Sequence, residues 1–152
     1  MEVAIIEYET KYAADFKRLN LEWLDKYGLT EEPDLLMLDN PEQEILAKGG
    51  CIYLAKVNHE IVGSCALIFE GPGTYELAKM GVAATFHGQG ISKLLLEKCL
   101  KAAVDKKARR IFLQSNSQLS AAIALYEKYG FYHIPVTNSH YDTADVMMEL
   151  LF

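Results

Sequence analysis

Apolar side chains recur along the chain with two different periods, and the change between them marks the predicted elements. Over residues 12–27 they fall three and four positions apart, which predicts an amphipathic helix that Gly28 ends. Residues 91–106 repeat that spacing after a glycine-containing loop. Elsewhere the apolar residues form short runs bounded by glycine, proline or asparagine, which is typical of strands. Residues 29–40 are mixed, and no single element is predicted there.

In chain order these elements predict a fold of the α/β (α+β) class. The elements are a strand at 3–6, a helix at 12–27, a short helix between Asn40-Pro41 and Gly49-Gly50, strands at 51–57, 60–69 and 74–82, a helix at 91–106, a strand at 110–114, a helix at 120–129, and strands at 132–136 and 146–150. Asn58-His59 predicts a tight hairpin connection. Strands precede and follow a strand–helix–strand unit, so a mixed sheet with helices on its faces is expected.

Composition narrows the class of protein. A length of 152 residues suggests one domain, 1–152, and the net charge of −6 disfavours a general nucleic-acid binder. Cys51, Cys65 and Cys99 are widely spaced and form no CxxC pair or Cys/His cluster, so neither a metal site nor a disulfide framework is expected. The acidic N-terminal segment does not resemble a signal peptide, and no run of 18 apolar residues predicts a membrane span. A cytoplasmic protein with reduced thiols is expected.

One loop has a sequence and position that could bind a phosphate group. It connects a predicted strand to the helix at 91–106. It reads His87-Gly88-Gln89-Gly90-Ile91-Ser92. Backbone N–H groups at the start of a helix are unpaired and carry partial positive charge, and small residues let a phosphate approach them. No Lys-Ser/Thr pair follows Gly90, which argues against a Walker A loop. Taken alone, the loop is a weak signal, and an ordinary strand-to-helix turn is the favoured interpretation.

The segments around the loop change that interpretation. The run Glu76-Leu77-Ala78-Lys79-Met80-Gly81-Val82, the loop and the helix after it together resemble the cofactor-binding core of the GNAT superfamily of N-acetyltransferases. About 30 residues further on, residues 121–131 read AAIALYEKYGF and resemble that superfamily's second signature. The resemblance implies a mixed, mostly antiparallel sheet with helices on both faces and a splayed central pair of strands. It also implies acetyl-CoA as the co-substrate.

Two departures from the superfamily pattern affect the expected cofactor contacts. His87 stands where Arg or Gln is usual, and Ser92 stands where Gly or Ala is usual, while Lys93 can restore positive charge. The backbone donors of Gly88, Gln89, Gly90, Ile91 and Ser92 remain. In the second signature Leu119 replaces a common Asn, so the resemblance makes Asn116 the candidate for a contact to the pantetheine arm. The alternative for Asn116 is an Asx turn that starts the next helix.

Acetyl transfer needs a group that takes the proton of the amine, stabilisation of the thioester oxygen and a proton for the leaving thiolate. By resemblance, the backbone around Val82 polarises the thioester, Tyr126 protonates the sulfur and Glu76 is the base, directly or through water. The alternatives are a core aromatic for Tyr126, and for Glu76 a solvated charge or a partner of Lys79. Four histidines are rival bases by their ordinary pKa: His59, His87, His133 and His140.

The acceptor amine is expected to meet the N-terminal region. An aromatic edge with carboxylates gathers there, formed by Trp23, Tyr27, Glu31, Glu32 and Asp34. A helix with one buried face followed by a solvated acidic loop is the favoured alternative for that segment. The predicted function is N-acetyl transfer from acetyl-CoA to a primary amine of a small molecule or peptide, by direct attack in a ternary complex. The alternative is a non-catalytic acyl-CoA-binding sensor, and the resemblance also allows a homodimer.

Overall fold

The structure, a computed structural model, describes residues 2–152, which form seven strands and four α-helices. The strands are β1 (Val3–Glu7), β2 (Cys51–Val57), β3 (Glu60–Phe69), β4 (Thr74–Val82), β5 (Arg110–Ser115), β6 (Tyr132–Ile134) and β7 (Val146–Leu151). The α-helices are α1 (Ala13–Lys26), α2 (Glu32–Asp39), α3 (Ile91–Asp105) and α4 (Ser120–Lys128). Short 3-10 turns lie at Thr10–Tyr12 and Ala84–Phe86, and a π-helical turn lies at Glu42–Leu46.

All seven strands form one sheet in the order β1-β2-β3-β4-β5-β7-β6. Every neighbouring pair is antiparallel except β4 and β5, which run parallel. Helix α3 connects these two parallel strands, as a crossover helix must. The mixed, mostly antiparallel sheet predicted from the sequence is confirmed.

The sheet is covered on both faces, and β3 shows this most clearly. Its eight inner residues are all buried, so side chains that alternate between the faces enter two separate cores. Cys65 and Leu67 pack into the core that contains residues of α3 and α4. Ala66 and Ile68 pack into the core that contains residues of α1 and α2. The predicted helices on both faces are therefore confirmed.

The parallel pair β4 and β5 separates after only three residue pairs. The last pair is Glu76 with Phe112, and residues 77–82 of β4 have no partner strand on that side. On its other side β4 contains a bulge opposite β3, where Lys79 takes a positive φ of 53°. Ser64 donates a hydrogen bond to the Lys79 carbonyl at 2.6 Å and accepts one from Asn20 at 3.0 Å. The predicted splayed strand pair is therefore present, and buried polar side chains hold its bulge.

Helix α1 lies directly against the splayed half of β4. A Cβ added to Gly81 would stand 2.3 Å from Nε1 of Trp23, so only glycine allows the indole this close. The same Nε1 donates to Oδ1 of Asn20 at 3.1 Å, which fixes the ring on the strand. Trp23 is thereby held at the opening between the two diverging strands.

The largest difference from the predicted elements is α2, which lies within residues 29–40, where the sequence predicted no single element. Its apolar residues 35–38 are consecutive, so they do not show helical spacing. The helix begins instead through polar contacts: the Asp34 carboxylate accepts the Glu31 N–H at 2.9 Å. Asn40 ends α2, and the short helix predicted after it is a single π-helical turn.

Candidate active site

A cleft of about 480 Å³ lies where β4 and β5 separate. Its walls are the free half of β4, the end of β5, the loop before α3, and the first turns of α3 and α4. Trp23 and Tyr27 of the N-terminal helical region close one side. Because β4 has no partner strand here, its backbone polar groups are available to a ligand that lies along it. A slender polar chain such as a pantetheine arm fits this edge.

At one end of the cleft, the N–H groups of residues 88–93 donate to no other group of the described chain. Gly90 precedes α3 with φ of +77°, in the left-handed region that favours glycine. A Cβ added at Gly88 or Gly90 meets no protein atom within 4 Å, so both positions face open space. This row of donors at a helix start can bind phosphate oxygens.

The side chains of the predicted cofactor residues fall into two groups. Those of His87, Ile91, Ser92 and Lys93 line the cleft together with Gly88 and Gly90. Gln89 is exposed and does not line the cleft, so it offers only its backbone N–H.

Val82 ends β4 at the middle of the cleft. Its carbonyl oxygen lies 2.7 Å from Nε2 of His87, and since a carbonyl can only accept, the imidazole N–H donates. That carbonyl therefore points away from β3, whereas the next N–H, of Ala83, bonds back to Val62 of β3. The N–H and carbonyl of one strand residue point to the same side, so the Val82 N–H also faces the cleft. This is the donor that the sequence predicted near the thioester.

Tyr126 projects from α4 into the cleft wall and is 6% exposed. Burial raises the pKa of its phenol above the usual range, with the nearby Cys65 and Cys99 adding to the shift. The hydroxyl therefore keeps its proton at neutral pH. The ring also packs against Phe131 at 5.8 Å between centroids. Tyr126 is thus a core aromatic that also lines the cleft with a protonated hydroxyl, and its role as the acid for the leaving sulfur stays a prediction.

Glu76 lines a second, smaller cavity of about 80 Å³ that adjoins the cleft and shares Trp23, Ala78 and Lys79 with it. Glu76 is 6% exposed, and Nε2 of Gln114 donates to its Oε2 at 3.0 Å. Burial raises the pKa of Glu76 to about 7, and the Gln114 bond opposes that shift. The charges of Glu70 and Asp34 raise it further, while that of Lys79 lowers it.

Glu76 is therefore not the solvated charge that the sequence left as an alternative. Its hydrogen-bond partner is Gln114, and Lys79 pairs elsewhere. A carboxyl group with a pKa near neutrality can accept a proton from an amine at physiological pH.

Lys79 forms a buried ion pair with Asp34 of α2, with side-chain exposures of 4% and 3%. The second Asp34 oxygen accepts the Glu31 N–H, so both oxygens are bonded. The Lys79 ammonium also lies 5.4 Å from the ring centroid of Tyr141. Burial raises the pKa of Tyr141, followed by the charges of Asp34, Glu76 and Glu31. The pair joins α2, β4 and the loop before β7 around one cavity.

That loop contains a strap, residues 138–145, which crosses the small cavity. Glu31 accepts the N–H groups of Asp142 and Thr143 at 2.8 and 3.1 Å and the Thr143 hydroxyl at 2.6 Å. These bonds lower the pKa of Glu31 against the opposing effect of desolvation. On the other side of the strap, Nδ2 of Asn116 donates to the Thr143 carbonyl at 2.8 Å.

Asn116 lines the small cavity and has partners for both polar atoms of its side chain. Its Oδ1 accepts the Gln118 N–H at 3.0 Å, which is the Asx turn left open by the sequence. A contact to pantetheine would come in addition to this turn and stays a prediction.

The residues that surround the small cavity were only partly found from the sequence. The favoured interpretation of the segment after α1 as a solvated acidic loop is wrong for Asp34, which is 2% exposed, and for Glu31, which holds the strap; it fits Glu32, which is exposed. Gln114 and Tyr141 carry no motif and were missed. Gln114 is identified only by the register of β5, and Tyr141 only by the path of the strap. Both are properties of the folded chain.

The four histidines that the sequence offered as alternative bases differ in whether they line a cavity. His59, His133 and His140 are exposed and line neither cavity, which leaves His87 as the histidine of the cleft. Within residues 2–152, no group of three or more His, Cys, Asp or Glu residues is placed to hold a metal ion. In the same part of the chain, no helix is long and apolar enough to cross a membrane.

The sequence and the fold both match known acetyltransferases. A sequence profile of the acetyltransferase (GNAT) family matches residues 16–131. N-acetylaspartate synthetase of Homo sapiens is 33% identical over 115 residues, which cover 75% of this chain and 38% of that protein. A GNAT-family acetyltransferase structure from Staphylococcus aureus Mu50 superposes with a TM-score of 0.88 and 26% identity, covering 97% of this chain and 98% of the other. The PaiA N-acetyltransferase from Thermoplasma acidophilum, solved in complex with coenzyme A, gives a TM-score of 0.78 at 17% identity over 100% of both chains.

These matches differ in how much of the other protein they span. The chain covers about two fifths of the length of the N-acetylaspartate synthetases that it matches, 38% to 39%. Against the Staphylococcus aureus structure it covers nearly the full length of both chains. The structural superposition therefore spans nearly all of both chains, whereas the sequence alignment covers only one part of a longer enzyme.

The raised pKa of Glu76 makes stability depend on pH. The folded protein holds the Glu76 proton up to about pH 7, whereas an unfolded carboxyl releases it near its ordinary value of 4.5. Stability is therefore lost as pH rises from about 4.5 through about 7, by about 3 kcal/mol. We expect Glu76→Gln to abolish this loss, so that the variant gains about 3 kcal/mol on wild type between pH 4 and pH 8, measured by urea unfolding. The exposed Glu60→Gln is the control, and equal pH dependence of Glu76→Gln and wild type would contradict the burial of an ionisable Glu76.

Proposed function

The chain belongs to the acetyltransferase (GNAT) family, and we propose that it moves an acetyl group from acetyl-CoA to a primary amine of a small molecule or peptide by direct attack in a ternary complex. The observation that carries this proposal is the adjacency of two sites. A cleft with free N–H donors at the start of α3 adjoins a cavity that contains a buried carboxyl group with a pKa near 7. Direct transfer requires both reactants to be held side by side.

The cofactor side is supported by residues 88–93 and by the unpaired edge of β4. The N–H groups at the start of α3 would hold the pyrophosphate, and Lys93 would add positive charge there. The pantetheine arm would lie along residues 77–82, where β4 lacks a partner strand. His87 donates to the Val82 carbonyl in this structure, so it helps to shape that edge as well as to line the cleft.

The chemistry assigned to the chain uses three groups. Glu76 takes the proton of the amine, directly or through water, because burial keeps its basicity near neutral pH. The Val82 N–H donates to the thioester oxygen as negative charge develops on it. Tyr126, which stays protonated, donates to the departing sulfur. The acetyl group moves from sulfur to nitrogen, the amine loses one proton and the thiol gains one.

A test of this function is thiol release from acetyl-CoA across a panel of primary amines, with the acetylated product identified by mass spectrometry. Aspartate belongs in the panel, because the human relative is named for the synthesis of N-acetylaspartate. Turnover with any of these amines supports the enzyme. Tight binding of CoA without transfer to any amine would instead identify a non-catalytic acyl-CoA sensor.

Gly90→Val should weaken CoA binding by more than about ten-fold, because the new side chain would project into the open space where the backbone meets the phosphates. Binding is measured by isothermal titration calorimetry. Gly28→Val is a matched control, since Gly28 has a similar φ of +67° and open space but does not line the cleft. If Gly90→Val binds CoA as wild type does, the pyrophosphate does not lie there.

Tyr126→Phe should lower kcat by roughly 10²–10⁴-fold and change acetyl-CoA affinity little, because the packing ring stays while the proton donor is lost. Steady-state kinetics and acetyl-CoA binding measure the two effects separately. Tyr129→Phe serves as control, because that hydroxyl bonds to Glu97 outside the cleft. A kcat within about two-fold of wild type would leave Tyr126 as a packing residue only.

Glu76→Gln should lower kcat/KM near neutral pH and regain activity at higher pH, where the free amine is abundant. In wild type the rate should rise as pH passes about 7, because the base must be ionised to accept a proton. The measurement is kcat/KM against pH for both proteins. Two parallel profiles would exclude Glu76 as the base.

A further inference from the structure

The small cavity beside Glu76 has a chemical character that bears on the acceptor. Its volume of about 80 Å³ has room for a handful of water-sized groups, such as a short methylene chain. Much of its wall is apolar and comes from Trp23, Leu24, Leu29, Ala78 and Leu119. A slender aliphatic group matches this lining, whereas a group with several charges would have to replace its water with apolar surface.

The charged side chains that line the cavity are Asp34, Glu76 and Lys79. The only one with positive charge, Lys79, is already paired with Asp34, and its side chain is 4% exposed. The ring of Tyr141 lies beside the same ammonium. No uncompensated positive charge therefore lines the cavity. A ligand carboxylate would meet two fixed carboxyl groups and one ammonium whose charge is already neutralised.

Glu76 supplies a carboxyl oxygen that is free to accept a hydrogen bond, and the hydroxyls of Ser115 and Tyr141 also line the cavity without a partner in the described chain. Its Oε2 accepts from Gln114, and no group of the described chain donates to its Oε1. Glu76 is only 6% exposed and lines the cavity, so a ligand in the cavity is what can reach this oxygen. An amine N–H is the donor that satisfies this oxygen.

From the apolar wall, the neutralised Lys79 and the open Glu76 oxygen, we propose that the acceptor is an alkylamine: a primary amine at the end of a slender aliphatic chain that is otherwise uncharged or cationic. Acidic amino acids are poor acceptors at this site. The inference rests on the proposed acetyltransferase function and names the substrate class of its acceptor cavity. Lys79 and Asp34 act as specificity residues, because their pairing removes the cation that an acidic acceptor needs.

The test compares butylamine and putrescine with aspartate and glutamate as acceptors of the acetyl group from acetyl-CoA. We expect kcat/KM for the better alkylamine to exceed that for either acidic amino acid by more than about ten-fold. Equal or higher kcat/KM for aspartate or glutamate would overturn the inference and leave the acetyltransferase function standing. If none of these four amines is acetylated but another amine of the panel is, the inference fails and the acetyltransferase function stands. If no amine of the panel is acetylated, the proposed function fails and the inference fails with it.

A charge variant tests whether the Lys79–Asp34 ion pair causes the preference for alkylamines over acidic amino acids. Asp34→Asn leaves the Lys79 ammonium uncompensated, so the ratio of aspartate to butylamine kcat/KM should rise by about ten-fold or more. The matched control is Asp39→Asn on the same helix, whose carboxylate pairs with Lys17 at the surface and should not change the ratio. An unchanged ratio in folded Asp34→Asn would show that the ion pair does not set specificity. The order of acceptors in wild type decides the inference without this variant, so it does not depend on how well Asp34→Asn folds.

Discussion

The separation of β4 from β5 after three residue pairs is the constraint on which the rest of the site depends. It leaves residues 77–82 with a free backbone edge and opens the cleft between the two strands. The bulge at Lys79 on the opposite edge is held by Ser64, whose hydroxyl lies between Asn20 and the Lys79 carbonyl. The same bulge places a lysine in a left-handed conformation, which tertiary contacts must stabilise. Fold and site are therefore coupled through one irregular strand.

Buried charge is concentrated at this irregular strand. A buried ion pair is stable only when its polar atoms are bonded, and both Asp34 oxygens have partners while Lys79 lies against Tyr141. The pair connects α2, β4 and the strap, so the wall of the small cavity is fixed by electrostatic contacts between elements that are distant in sequence. Glu76 sits beside this pair with a pKa that burial raises, so its ionisation at neutral pH lowers the stability of the folded protein.

Most of the fold, and the glycine loop predicted to bind the cofactor, could be predicted from local features of the sequence. The period of the apolar residues placed α1 and α3 closely, and the glycine loop identified the start of α3, because a helix start and its donors are local features. Helix α2 escaped prediction because the consecutive apolar residues 35–38 hide its period. The lining of the small cavity escaped prediction for a different reason: Gln114 and Tyr141 meet Glu76 and Lys79 only through strand register and the strap. Contacts of that kind cannot be obtained from spacing along the chain.

Backbone amide exchange with and without CoA tests most directly whether the cofactor lies in the cleft as proposed. The N–H groups of residues 88–93 have no acceptor within the described chain, so they should exchange rapidly in the free protein. Saturating CoA should slow exchange by more than about ten-fold there and should also protect residues 77–82 along the free edge of β4. Unchanged exchange in both segments when CoA is bound, or protection confined to other parts of the sheet, would contradict a binding site between β4 and β5.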